Sequence, residues 1–73
     1  MTPDLVKIYL ITQKITQTDI AKAINREPNE VGRTLSGERR NEKIRAEIED
    51  FLGVKVFDVE FDTIVALRKS GTA

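Results

Sequence analysis

The side chains of this chain that are best suited to chemistry make hydrogen bonds rather than bonds to reaction centres. Neither histidine nor cysteine occurs in its 73 residues. Nucleophile–imidazole pairs, thiolate chemistry and most zinc sites are therefore excluded. Glu47, Glu49 and Asp50 cluster as a metal or acid–base site would need, but no imidazole or glycine-rich loop accompanies them, and they read as a solvated helix face. No enzyme, cofactor or metal is expected. The segment PNEVGRTLS, residues 28–36, differs in kind. Arginine can bond a guanine edge with two parallel donors, and asparagine suits adenine in the same way. If residues 28–35 are helical, Val31 and Leu35 form a narrow apolar stripe. Pro28, Asn29, Gly32, Arg33 and, one turn on, Ser36 then share the opposite face.

Such a face is useful only if other elements hold it out, and the helix signals supply them. Thr2-Pro3-Asp4 reads as a cap, an N1 proline and an acidic first turn. Leu5, Ile8 and Tyr9 follow at helical spacing, so a first helix is expected over 3–13. Thr16 with Asp19 is a capping-box pattern, and Ile15 with Ile20 a hydrophobic staple, which places a second helix at 17–24. Asn25 suits a left-handed helix end, and Pro28 suits the start of a third helix over 28–35, closed by Ser36-Gly37. Asn41 caps a fourth over 42–52, with Ile44, Ile48, Phe51 and Leu52 recurring along it and Gly53 beyond. The tail is ambiguous. Phe57, Val59 and Phe61 alternate with Asp58 and Glu60 as in a strand, yet Val56, Val59 and Ile64 fit one side of a helix. A short helix near 56–60 and a further helical stretch to about 69 are expected, with 70–73 frayed. The fold class is therefore all-α, about five helices in a single domain over 1–69.

The second and third helices read together as a helix-turn-helix over 17–35. Ala21 is small where the helices cross, and Ile20, Ile24, Val31 and Leu35 form a shared core. Burial of each contributes about 1.5–3 kcal/mol, enough to hold two short helices that are marginal alone. In such a pair the second helix is displayed for the major groove of DNA.

Ile15-Thr16-Gln17, Ile20-Ala21, Ile24, Val31 and Leu35-Ser36-Gly37 resemble the Cro/repressor type of DNA-binding domain, also called lambda-repressor-like or XRE-like. Ile44-Arg45, Ile48 and Phe51-Leu52-Gly53-Val54 resemble that family's fourth helix and following turn, so the likeness spans about residues 15–59. It implies a five-helix lambda-repressor-like fold. It also implies a sequence-specific double-stranded DNA-binding transcription regulator, a repressor of bacterial or phage type acting as a homodimer. By this resemblance Pro28, Asn29, Gly32 and Arg33 face base edges, while Gln17, Ser36, Arg39 and Arg40 bond phosphates. The chain departs from the family at Asn25, usually glycine, at Arg26, usually apolar, at Glu27, usually a small hydroxyl, and at Thr34, usually aliphatic. The alternative reading is a helix-turn-helix module that binds another protein, such as an antitoxin or assembly factor.

Composition sets the outer bounds. A chain of this length buries only about 60% of its unfolded surface. Phe57, Val59 and Phe61 read either as core or as an exposed dimer patch; so small an interior has little room for three more large apolar groups, and a dimer surface drawn from them is expected. Formal net charge is zero, but residues 1–45 carry nine basic against six acidic side chains, and residues 46–73 three against six. The basic half holds the helix-turn-helix, a distribution that can orient a domain on a phosphate backbone. No apolar run approaches a membrane span and no signal-peptide core is evident, so a cytoplasmic protein without membrane or small-molecule partners is expected.

Overall fold

The computed structural model describes residues 1–69. Five α-helices and no strand occur among them: α1 Pro3–Thr12, α2 Gln17–Ile24, α3 Pro28–Ser36, α4 Glu42–Leu52 and α5 Val59–Lys69. No helix among the described residues is long and apolar enough to cross a membrane. The expected fraying of 70–73 lies outside the described residues.

The helix starts follow the capping chemistry. Thr2 Oγ1 accepts from the Leu5 N–H at 3.1 Å. Thr16 and Asp19 satisfy each other's backbone N–H groups, at 3.1 and 2.9 Å, completing the capping box. Asn41 Oδ1 accepts from Ile44 N–H at 3.1 Å. These bonds use donors that a helix cannot satisfy internally.

α2 packs against both α3 and α4, and α1 and α5 close over the assembly. The core is Val6, Leu10, Ile20, Ala21, Val31, Ile44, Ile48, Val56 and Phe61. Three sequence expectations are corrected here. First, α1 turns Val6 and Leu10 inward and leaves Leu5, Ile8 and Ile11 exposed, although Leu5 and Ile8 form the more obvious apolar stripe. With apolar residues almost all round α1, periodicity does not single out a face. Second, Leu35 and Ile24 are only half-buried, and Thr34 takes the enclosed place in the helix pair. Its hydroxyl donates to the Glu30 carbonyl at 2.8 Å, so the burial leaves no polar group unsatisfied.

Third, the tail forms one helix, and neither a strand nor a separate helix at 56–60. Asp58 sets its start: Oδ1 accepts from the Phe61 N–H at 3.0 Å, the geometry of an N-cap. Upstream, Glu49 Oε2 accepts from the N–H groups of Val56 and Phe57, at 2.9 and 3.0 Å, which holds residues 53–58 as a non-helical connection. Phe61 is fully buried, and Phe57 meets it edge-on with ring centroids 5.0 Å apart. The expectation that Phe61 lies on a dimer surface is therefore overturned. Phe57 is half-buried against the core, and of the three only Val59, 83% exposed, stands open.

Candidate nucleic-acid interface

Three residues, 25–27, join α2 to α3, and they include three of the four departures from the repressor pattern. Asn25 and Arg26 are accommodated by specific contacts, and Glu27 by the proline that follows it. Asn25 adopts φ 58°, ψ 51°, the left-handed conformation that glycine usually supplies. The Arg26 N–H then donates to the Ala21 carbonyl at 2.9 Å, closing the helix end. The Arg26 side chain leaves the helix pair and bonds Glu47 of α4, Nε to Oε1 at 3.0 Å. That guanidinium holds the Glu47 carboxyl below its usual range. Glu27 is the N-cap residue of α3 but makes no side-chain capping bond there. Pro28 at N1 has no N–H to satisfy, which lowers the demand for one.

α3 buries Val31 and Thr34 and exposes Pro28, Asn29, Arg33 and Ser36. Asn29, Arg33 and Ser36 fall at i, i+4 and i+7, so they share one outward stripe. Gly32 is half-buried beside that stripe and covered by Gln17, which sets it apart from the expected base-facing residues. Glu30 is half-buried, and its charge adds to that of Glu47 in favouring the Arg26 cation.

The residues expected at phosphates divide into two groups. Gln17 is N1 of α2, and its Nε2 donates to the Pro28 carbonyl at 2.6 Å. Ser36 ends α3, its hydroxyl donating to the Arg33 carbonyl at 3.1 Å. Arg39 is exposed, and its N–H reaches back to the Arg33 carbonyl at 3.2 Å, which keeps the 37–40 loop against α3. Gly37, at φ 84°, begins that loop, and Val65 of α5 presses against the place where a Cβ would stand. Arg40 is in a different position: Nε bonds Glu42 Oε1 at 2.6 Å, and Nη1 lies 3.7 Å from Asp62 Oδ2. Two carboxylates already share its charge. Arg33 and Arg39 form no ion pair among the described residues.

The carboxylates 47, 49 and 50 are not simply a solvated face: Glu47 holds Arg26 and Glu49 holds the 56–57 backbone, while Asp50 is exposed. No metal-binding group of three is found among the described residues. The sequence analysis gave no inward role to Arg45, which is buried beside Phe57 and Phe61, 4.9 and 5.3 Å from their centroids, and paired with Asp62 at 2.9 Å. No local pattern flags an inward arginine. Its only sequence signal is the place it takes beside Ile44 and Ile48 on the helical wheel. A groove of about 460 Å³ borders the interface between α1 and α3, lined among others by Val6, Leu10, Ile15, Gln17, Leu35 and Ser36. Comparison of the chain with protein-family models, with curated proteins and with solved structures gave no match.

Proposed function

We propose that this chain is a sequence-reading, double-stranded DNA-binding transcription regulator with a lambda-repressor-like helix-turn-helix, in which α3 enters the major groove. The observation that carries this reading is the outward stripe of α3: Asn29, Arg33 and Ser36 are all exposed, and Val31 and Thr34 behind them are buried. A short helix whose inward side is fixed and whose outward side carries a bidentate donor and an amide is equipped to meet base edges. Gln17 and Arg39 flank that stripe and Ser36 ends it, and all three suit phosphates. The resemblance to the Cro/repressor type adds promoter blocking by a homodimer, with two copies of α3 about 34 Å apart on a palindromic site. Val59 is the open residue through which α5 would contribute to the dimer.

Selection of bound duplexes from a random DNA pool tests this directly, and a recovered sequence with twofold symmetry is expected. Affinity for the selected duplex should fall steeply with salt, because each neutralised phosphate releases counterions. Arg33→Ala should cost about 1–3 kcal/mol on that duplex and relax preference at one base pair, whereas Arg39→Ala should weaken all sequences alike and flatten the salt slope. No enrichment, or binding indifferent to salt, would reject the DNA reading in favour of a protein-binding helix pair.

A further inference from the structure

We propose that Gln17 and Gly32 form a positioning pair that sets how α3 presents its outward stripe; this rests on the DNA-binding reading above. Gly32 sits in the middle of α3, where glycine disfavours the helix. Its backbone does not require glycine, since Gly37 and Gly53 are the two glycines at positive φ. What Gly32 provides is room. A Cβ there would lie 2.7, 2.8 and 2.9 Å from Oε1, Nε2 and Cδ of Gln17. The amide occupying that notch is the one that donates to the Pro28 carbonyl at 2.6 Å.

One side chain therefore spans the first turns of both helices, from N1 of α2 to N1 of α3. α3 has particular need of such a tie. Thr2, Thr16 and Asn41 cap α1, α2 and α4 with their own side chains, but Glu27 makes no such bond at the start of α3. The bond is exposed, so its contribution to overall stability is small. Its effect is geometric: it fixes the start of α3, and with it the pitch of Asn29 and Arg33. Gln17 and Gly32 are positioning residues, and the pair trades helix propensity for aim.

The test compares the full chain with Gly32→Ala, Gln17→Ala and the double variant. The Gln17 side-chain amide resonances should be shifted from free-amide values in the unaltered chain and collapse to them in Gly32→Ala, as the new methyl expels the amide. Melting temperature should stay level or rise, since alanine favours the helix. The ratio of affinities for selected over random duplex should fall about tenfold in each single variant, and no further in the double, as expected for two residues acting through one contact. Unchanged amide resonances in Gly32→Ala would overturn the contact. Equal losses on both duplexes, or single-variant losses that multiply in the double, would overturn the positioning role and make Gln17 a plain phosphate ligand. If the unaltered chain binds no duplex, the DNA reading falls and takes the specificity role with it, while the amide resonances still decide the contact.

Discussion

Asp62 is the residue on which the charges of the α4–α5 junction converge. Its two oxygens meet Arg45 at 2.9 and 3.3 Å, and Arg40 approaches at 3.7 Å. Arg45 is buried with its Nε unbonded, so the aromatic faces of Phe57 and Phe61 and the Asp62 carboxylate are what compensate its lost hydration. Asp62→Asn leaves that cation in place without its counter-charge. A loss of about 3 kcal/mol in denaturant unfolding is expected, at the low end for a pair with a buried member because Asp62 itself is partly exposed. The bond from Arg45 holds the Asp62 carboxyl below its usual range. A depressed carboxyl stabilises the fold fully above its unfolded value, and that contribution disappears as pH falls through the folded value. Unfolding free energy should therefore decline below about pH 4, and Asp62→Asn should flatten that decline. A pH profile identical to that of the unaltered chain would show that the pair contributes nothing. The variant also frees Arg40 from one of its two carboxylates.

At the scale of the element, the turns carry the informative exceptions. Lys14 adopts φ 58° between α1 and α2, and the Ile15 and Lys14 N–H groups bond the Leu10 and Ile11 carbonyls at 2.9 and 3.0 Å. That is a Schellman closure with lysine where glycine is favoured. Lys14→Gly should raise stability by roughly 0.5–1 kcal/mol, since the left-handed conformation is strained for a residue with a Cβ. A melting curve that moves down would place an unrecognised contact on the lysine side chain. α1 offers a second test. Val6→Ala, on the enclosed side, should cost about 1–3 kcal/mol. Ile8→Ser, on the exposed side, should shift stability by no more than about 0.5 kcal/mol. The reverse order would mean that α1 packs through its Leu5–Ile8 stripe. Capping made these helices legible in the sequence, because a cap is a bond between residues three apart. The inward face of α1 was not legible, because apolar residues lie nearly all round it and the neighbours choose among them.

For the whole molecule, the deciding feature is that a small interior accepts Phe61 after all. It does so because α5 packs beside α1 and Phe57 and Arg45 close round the ring. Phe61→Ala should cost about 3–5 kcal/mol, a large share of the stability of a domain this size. Val59→Ser should leave the fold intact and, if α5 pairs two copies, move the sedimentation of the chain towards monomer. A stable Phe61→Ala variant would contradict the core placement, and unchanged sedimentation by Val59→Ser would remove this end of α5 from any dimer. The surplus of basic residues in 1–45 is partly spent inside the molecule: Arg26, Arg40 and Arg45 are each paired with a carboxylate. Arg33 on the α3 stripe and Arg39 beside it form no ion pair among the described residues, so the charge relevant to a phosphate backbone is narrower than the sequence count implies.

From residue order alone came the all-helical class, the first four helices with their starts, the left-handed end at Asn25, the helix ends at Gly37 and Gly53, and the outward side of α3 apart from Gly32. All of these are governed by interactions within a few positions along the chain. Only the tertiary structure selected the inner side of α1, placed Thr34, Arg45 and Phe61 in the interior, joined residues 59–69 into one helix, and laid Gln17 over Gly32. Those outcomes depend on groups far apart in sequence competing for the same enclosed space, a competition that local spacing does not record.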